Sequence, residues 1–312
     1  MGLNYVIAGS GATGGSIGAF LAADGQDVVF LAREAQLEAL REKGISMRHT
    51  AKGDFTVCPV KAETMEEYGG TPDVVFVCVK SYSLEDALRL VRRAGSPETV
   101  VIPILNIYGT GERMQKELPD MTVTDGCIYV AAHVSAPGEI THGGDIFRVV
   151  YGLRPGQEPG TAVRAKLEQV KRDLDHAGIS GEYSENIRRD TFKKFMYTSP
   201  MAAAGEYFHA QAGDFQKEGE PRDTFIAMDR EYLRLADAMG LGVPEDMVEV
   251  NLKILDDLSP EAGTSMQRDI AKGGRSEIAG LVYAVEDMAA AYQAEMPVCR
   301  RVIQELKARG LK

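Results

Sequence analysis

The sequence predicts an α/β protein, with a doubly wound and mainly parallel sheet in its N-terminal part and helices alone in its C-terminal part. Three observations predict this class. Short β-branched runs alternate with helical stretches up to about residue 150, a glycine-rich turn follows the first run, and strand signals end near Tyr183. At 312 residues the chain exceeds the size at which one hydrophobic core keeps growing, so we expect two domains, over residues 1–180 and 181–312.

The alternation begins with four apolar runs, each of the length of a buried strand. They are YVIAG from Tyr5, DVVFLA from Asp27, DVVFVCVK from Asp73 and TVVIPIL from Thr99. The helical stretches between them begin at Ala12, Glu34 and Ser83, and the first two end at glycines, as helix C-termini prefer. Because connections between parallel strands are almost always right-handed, these units predict parallel strands with helices on both faces.

The pattern changes after the fourth run. Two β-rich stretches from Cys127 to Leu153, broken at Pro137, predict an antiparallel extension of the sheet. The amphipathic stretch over 161–176 predicts the last helix of the first domain. Helical periodicity then continues to the end of the chain. It predicts a helix over 185–196, which ends before Pro200, and another over 276–293.

Composition and charge exclude several classes of protein. Hydrophobic residues at 44% and charged residues at 26% are ordinary globular values. A net charge of -11 without a long basic run argues against nucleic acid or an anionic membrane as the main partner. The four cysteines and five histidines lack metal-ligand spacing, so no metal site is expected. With neither a signal-peptide pattern nor an apolar run approaching ~20 residues, we expect a soluble cytoplasmic protein.

The turn after the first predicted strand has the spacing G-x-G-x-x-G. Its residues are Gly9, Ser10, Gly11, Ala12, Thr13 and Gly14. Between a strand and a helix, the first glycine allows a tight turn, the second lets a pyrophosphate approach the backbone, and the third lets the helix pack on the strand. The N-terminus of the helix offers N–H groups to the anion. We therefore predict a Rossmann domain that binds a dinucleotide; a glycine-rich turn without a ligand is the alternative.

Three other strand ends carry polar residues at the edge where open α/β sheets bind ligands. Arg33 follows the second strand, where its planar guanidinium suits the 2′-phosphate of NADP; the alternative is a solvated residue that starts the next helix. Lys80 follows the third strand and either binds a phosphate or a substrate carboxylate, or faces solvent. Asn106 follows the fourth strand, near the expected nicotinamide, where a turn-forming asparagine is the alternative.

Two charged residues of the helical part lie at the edge of an apolar helix face. Lys194 lies beside the face that includes Ile187 and Phe195. A partly desolvated lysine has a lowered pKa and can act as a general acid, whereas a surface lysine whose stem covers apolar side chains is the alternative. Glu277 lies at the start of its helix, where it could pair with Lys194, bond a substrate hydroxyl, or only favour the first turn of the helix.

These residues together resemble the ketopantoate reductases (2-dehydropantoate 2-reductases) across both predicted domains. The segments that carry the resemblance are GSGATG from Gly9, LAR at Arg33, VCVKSY around Lys80, LNIYGTGE around Asn106, NIRRDTFKKF around Lys194 and TSMQRDIAKGGRSEI from Thr264 to Ile278. The resemblance implies an NADPH-dependent reduction of a 2-oxo acid to a 2-hydroxy acid, with 2-dehydropantoate as the first candidate. It also implies a helical substrate domain that closes over a cleft.

The resemblance also implies roles for individual residues. Lys194 matches the lysine that polarises the ketone and donates the proton, and Glu277 matches the carboxylate that orients this lysine and the substrate. Ser265 matches the hydroxyl that binds the substrate carboxylate. Asn106 and Lys80 match residues near nicotinamide and substrate.

Some positions depart from the family pattern where substrate identity is decided. Four and eight residues after the lysine, the family typically has asparagines, whereas this chain has Thr198 and Ala202. A threonine can still donate a hydrogen bond to a substrate, but an alanine cannot. The chain also has Ile107-Tyr108 where a glycine usually follows the asparagine.

Three functions are consistent with these residues. The first is reduction of ketopantoate, the second is reduction of a different oxo acid or carbonyl compound by the same architecture, and the third is a non-catalytic NADP-binding regulator. The intact Lys194 and Glu277 argue against the regulator. The apolar helices of the second domain could support a homodimer.

Overall fold

The computed structural model of the protein describes residues 2–312, which divide into two compact units. The first unit ends at Ile187, and the second comprises Arg188–Lys312 together with Asn106–Tyr108. This division differs from the predicted boundary at residue 180 because a strand at Ser180–Tyr183 pairs within the first unit. Asn106–Tyr108 belong to the second unit because they pack on one of its helices.

A parallel sheet lies at the centre of the first unit. Its strands are β1 (Asn4–Ala8), β2 (Asp27–Leu31), β5 (Lys61–Glu63), β6 (Val74–Val77), β7 (Val100–Pro103) and β8 (Thr122–Val123). They lie in the order β5-β2-β1-β6-β7-β8, and every neighbouring pair is parallel. The four strands predicted from apolar runs form its middle, and the order reverses between β1 and β6.

The helices of the first unit cover both faces of this sheet. They are α1 (Ala12–Ala23), α2 (Glu34–Lys43), α3 (Leu84–Ala94), α4 (Thr110–Glu117) and α5 (Thr161–His176), with a short 3-10 turn at Ser81–Ser83. Alternate residues of β1 enter different cores: Ile7 packs in the core that contains α1, and Val6 packs in the core that contains α3. The doubly wound arrangement predicted from the sequence is confirmed.

The predicted hairpin forms, but it does not extend the first sheet. It pairs β9 (Asp125–Ala136) with β10 (Glu139–Gly152) in a second sheet that also contains β3 (Ile45–His49), β4 (Phe55–Val57) and β11 (Ser180–Tyr183). The reason is that α1 has a second apolar surface to cover. Ile45, Ile140 and Phe147 of this sheet pack in the same core as Phe20 of α1. Sequence periodicity shows that a strand is half-buried but not which helix buries it.

All the regular secondary structure in the described residues of the second unit is helical. Its helices are α6 (Ile187–Phe208), α7 (Ala212–Phe215), α8 (Glu220–Ala238), α9 (Met247–Asp256), α10 (Ser265–Ala271), α11 (Ala284–Ala291) and α12 (Pro297–Ala308), with a π-helical segment at Ala279–Tyr283. The prediction that strand signals end near Tyr183 is confirmed. A buried polar pair joins two of these helices: Asn251 of α9 donates from Nδ2 to both carboxyl oxygens of Asp229 of α8, at 3.1 and 3.0 Å.

The prediction that a helix ends before Pro200 is wrong, because α6 continues through the proline to Phe208. Pro200 has no N–H to donate to the carbonyl of Met196, which costs about 3 kcal/mol in a helix interior. Burial of the residues beyond the proline offsets this cost. Met201 is 4% exposed and Ala203 is fully buried in the core of the second unit.

Two further features bear on function. No group of three or more His, Cys, Asp or Glu side chains within residues 2–312 has an arrangement that could hold a metal ion. Over the same range, none of the helices combines the length and the apolar composition that crossing a bilayer requires.

Candidate active site

The glycine turn between β1 and α1 is tight and closely packed. Gly9 has a φ of +100°, a conformation that side chains disfavour. The N–H groups of Gly9 and Ser10 both donate to the carbonyl of Leu31 at the end of β2, at 3.3 and 3.0 Å. A Cβ atom at Gly14 would overlap the carbonyl oxygen of Gly9. Each of these two glycines is therefore required by the backbone geometry.

The other side of the turn is open. A Cβ atom at Gly11 would have nothing within 4 Å, and no side chain caps α1 among the described residues. The N–H groups of Ala12 and Thr13, in the first turn of α1, have no acceptor within the helix. Ser10 directs its hydroxyl inward to the carbonyl of Leu31, at 3.1 Å, so the anion would meet backbone rather than side chain. This surface fits a pyrophosphate.

Two cations flank the turn within the first unit. Arg33 is exposed at the N-cap of α2, and its Nη2 donates to Ser83 Oγ at 3.2 Å. None of the residues that the structure describes forms an ion pair with this guanidinium. Lys80 is half-buried and precedes the 3-10 turn that ends at Ser83. The bond between Arg33 and Ser83 therefore joins the segments that follow β2 and β6.

The second unit brings Lys194 and Asn106 together. Lys194 Nζ on α6 donates to Asn106 Oδ1 at 2.9 Å, and both residues are partly buried. The segment that contains Asn106 is held on α6 by aromatic packing, since the ring of Tyr108 meets Phe192 edge-on at 5.0 Å and lies 5.9 Å from Phe195. These contacts explain why Asn106–Tyr108 group with the second unit, although they follow β7 in sequence.

Glu277 lies immediately before a helical segment, not inside one. It is 8% exposed, and its carbonyl accepts from the N–H of Leu281 at 2.8 Å. The predicted single helix over 276–293 is instead a π segment, Ala279–Tyr283, followed by α11. The π segment comes close to the Asn106 loop, because a Cβ atom at Gly280 would lie 2.5 Å from Ile107 Cδ1. Glu277 therefore lies in the turn before this π segment, and the close approach of the segment to Ile107 requires a glycine at position 280. Such π segments are frequent at functional sites.

Ser199 joins the helix of Lys194 to the segment of Glu277. Its hydroxyl is fully buried and donates to the carbonyl of Leu281, and the hydroxyl of Tyr232 lies at the same distance, 2.5 Å. Since the single hydrogen of Ser199 is directed to Leu281, the Tyr232 hydroxyl is the donor in the second bond. Burial raises the pKa of Tyr232 well above its ordinary value, so this phenol keeps its proton. Ser199 and Tyr232 were not predicted from the sequence, because nothing local distinguishes them from other helical residues.

We expect Ser199→Ala to lower the free energy of unfolding by about 1–3 kcal/mol, because the Leu281 carbonyl and the Tyr232 hydroxyl would both remain buried without their partner. Urea denaturation measures this loss. Ser259→Ala is the matched control, since Ser259 is exposed and its hydroxyl donates to the exposed Glu261 side chain. Equal losses in the two variants would contradict the proposed connection.

The remaining candidates also lie in the second unit. Thr198 donates its hydroxyl to the carbonyl of Lys194, one turn earlier, at 2.9 Å. Ala202 is fully buried. Ser265 is the half-exposed first residue of α10, after the N-cap Thr264. The start of α10 is anchored near α6 by Gln267, whose Nε2 donates to the carbonyl of Ala210 at 2.9 Å.

Each unit therefore carries a distinct part of the predicted site. The first unit holds the glycine turn, Arg33 and Lys80, and the second holds Asn106, Lys194, Thr198, Ser265 and Glu277. The bond between Lys194 and Asn106 is a direct contact between two residues predicted separately.

Comparisons with known proteins find matches to both parts of the chain. The family model described as "Ketopantoate reductase PanE/ApbA" matches residues 5–156, and the model of its C-terminal part matches residues 186–310. The chain is 26% identical to "Uncharacterized oxidoreductase YkpB" of Bacillus subtilis, over 88% of each chain. It is 25% identical to a 2-dehydropantoate 2-reductase of Aquifex aeolicus, over 99% of this chain and 97% of that one. The crystal structure of the 2-dehydropantoate 2-reductase from Methylococcus capsulatus is 26% identical, covers 99% of this chain and 98% of that one, and has a TM-score of 0.85.

Proposed function

Because the chain belongs to the ketopantoate reductase family, we propose that it is an NADPH-dependent reductase that converts a 2-oxo acid into the 2-hydroxy acid. The family makes 2-dehydropantoate the first substrate to test. The observation that carries this proposal is the bond of 2.9 Å between Lys194 Nζ and Asn106 Oδ1, since it fixes an ammonium group at a defined position. An ammonium so fixed is the group that reduction of a ketone needs.

The proposed role of Lys194 follows from the charge that develops on the substrate. When the carbonyl carbon of a 2-oxo acid is reduced, its oxygen becomes an alkoxide. An ammonium aimed at that oxygen stabilises the charge as it forms and then donates the proton. Asn106 Oδ1 accepts a hydrogen bond from one of the three N–H groups of Lys194. This bond restricts the rotation of the ammonium and orients its other two N–H groups.

Glu277 and Ser265 are proposed to complete the substrate site. Glu277 is a nearly buried carboxylate at the start of the π segment, and Ser199 ties that segment to the helix of Lys194. A negative charge held there favours the protonated form of a nearby lysine. Ser265 offers a partly exposed hydroxyl, which we assign to the substrate carboxylate.

The residues of the first unit fit the proposed cofactor. The open surface at Gly11 and the N–H groups of Ala12 and Thr13 would bind the pyrophosphate, and Arg33 and Lys80 would bind phosphate groups beside it. Bound NADPH would supply the hydride, while the protein supplies position and charge.

We expect Arg33→Ala to weaken the binding of NADPH by about 10- to 100-fold and to change the binding of NADH little, because only NADPH carries the 2′-phosphate that the guanidinium would bond. Fluorescence titration of both cofactors measures this. Arg41→Ala is the matched control: Arg41 is exposed on the same helix and pairs with Glu67 at 2.7 Å. Equal weakening of both cofactors would exclude the 2′-phosphate assignment.

Steady-state rates with a panel of 2-oxo acids and both cofactors test the proposed function. We expect NADPH oxidation with at least one 2-oxo acid. Tight binding of NADPH with no turnover of any carbonyl compound would instead favour a non-catalytic regulator. The positions of Thr198 and Ala202 favour a substrate other than 2-dehydropantoate within the same reaction class.

A further inference from the structure

In the proposed site, different residues would contact the reacting groups of a 2-oxo acid and its side chain. In the proposed reaction, Lys194 and Asn106 lie at the carbonyl oxygen, and Ser265 is assigned to the carboxylate. On the face of α6 that carries Lys194, the next residues are Thr198 and Ala202, one and two turns further along. Of the two, Thr198 is partly exposed and would contact the substrate's side chain.

Neither residue offers a hydrogen-bond donor to a ligand. The hydroxyl hydrogen of Thr198 is directed to the carbonyl of Lys194 at 2.9 Å, so only its oxygen and its methyl group remain. Ala202 has no polar side-chain atom and is fully buried. The continuation of α6 through Pro200 keeps Ala202 on the face of Lys194.

The loop that approaches this face is also apolar. Ile107, directly after Asn106, packs on the helical core of the second unit. Its Cδ1 lies at the π segment, 2.5 Å from the position of a Cβ at Gly280, three residues after Glu277. The ring of Tyr108 continues this surface against Phe192. Ile107 therefore presents an aliphatic side chain to the π segment that follows Glu277.

We propose that the substrate is a 2-oxo acid whose aliphatic side chain carries no hydroxyl. This inference rests on the function proposed above and adds the substrate class. A substrate hydroxyl placed against Thr198 and Ile107 would give up its bonds to water and regain at most one acceptor, the Thr198 oxygen. An apolar pocket discriminates against an added hydroxyl by up to about 100-fold.

Two substrates that differ in one atom test the proposal. 2-Dehydropantoate is 3,3-dimethyl-2-oxobutanoate with a hydroxyl on C4, so both share the reacting groups and the branched skeleton. With wild-type protein and NADPH, we expect kcat/KM to be about 10- to 100-fold higher for 3,3-dimethyl-2-oxobutanoate. Thr198→Asn, which supplies an amide donor on the same face, should reduce this preference about tenfold.

The possible results distinguish a failure of this inference from a failure of the proposed reductase function. Equal values for the two acids, or a higher value for 2-dehydropantoate, would overturn the inference and leave the proposed reductase standing. Turnover of neither of these acids but of other 2-oxo acids would overturn the inference alone, whereas NADPH binding with no turnover of any 2-oxo acid would overturn both. The wild-type comparison needs no variant to fold, and thermal denaturation of Thr198→Asn shows whether a change in its preference reflects the site.

Discussion

Replacing Lys194 by alanine is expected to lower kcat for the best 2-oxo acid about 1,000-fold, while NADPH binding stays close to that of the wild-type protein. Loss of a general acid costs roughly 100- to 10,000-fold, and loss of one preorganised donor to a developing oxyanion costs roughly 100- to 1,000-fold. Both roles are proposed for the one ammonium, which is held by Asn106 at 2.9 Å. The contacts with the phosphate groups of NADPH are assigned to residues of the first unit, so fluorescence titration of NADPH should change little. Initial rates of NADPH oxidation measure the loss.

Lys193 provides the matched control for this prediction. It is the adjacent lysine on α6, and its Nζ lies 3.9 Å from the carboxylate of Asp190. Lys193→Ala should therefore retain turnover. Lys194→Arg separates the two proposed roles, because arginine keeps the charge but does not release a proton near neutral pH. If Lys194→Ala and Lys193→Ala lower kcat equally, the proposed mechanism is wrong.

Features of the fold that depend on local pattern were predictable from the sequence. The four apolar runs form the middle of the parallel sheet, and α5 has the predicted bounds, Thr161–His176. The G-x-G-x-x-G spacing was also informative, because Gly9 and Gly14 are required by backbone contacts between residues close together in the chain. In each case the physical cause lies within one element or one turn.

Features that depend on tertiary packing were not predictable. The intrinsic cost of Pro200 predicted the end of a helix, but burial of the following residues outweighs it. The hairpin was recognised as antiparallel, whereas its membership of a second sheet depends on the surface of α1 that it covers. The contacts of Ser199 with Leu281 and Tyr232 span 82 and 33 residues of sequence, so no local pattern signals them.

The candidate site shows the same distinction. Lys194 and Asn106 were identified by a family resemblance and by strand-end and helix-face arguments, and only the structure shows that they bond to each other. Glu277 was expected inside a helix, yet it precedes a π segment that packs against Ile107. Ile107 stands where the family usually has a glycine, and its side chain packs so closely on the π segment that a glycine is required at position 280.

A second large effect is expected at Asp229, a fully buried carboxyl of α8 that the proposed reaction does not use. Burial is the main cause that raises the pKa of Asp229 from the ordinary 3.8 to about 8. The hydrogen bond from Asn251 lowers this pKa, and the nearby charge of Glu249 raises it. We therefore expect Asp229 to be neutral in the folded protein below about pH 8.

This protonation predicts how stability depends on pH. Between about pH 4 and about pH 8, the folded state holds a proton on Asp229 that the unfolded chain has released. Stability decreases with pH wherever the folded state binds more protons, so the contribution of Asp229 is fully present below about pH 4 and is lost as pH rises to about 8. At about 1.4 kcal/mol for each pKa unit, the loss is on the order of 5 kcal/mol.

Asp229→Asn removes the titrating group and keeps its shape, so its free energy of unfolding should not show this decrease. Urea denaturation of the variant and the wild-type protein from pH 5 to pH 9 measures the difference between them, which should grow in favour of the variant as pH rises. Other titrating groups contribute equally to both proteins and cancel. Asp237→Asn, an exposed position on the same helix, should show a constant difference. A constant difference for Asp229→Asn as well would mean that the buried carboxyl is ionised throughout this range.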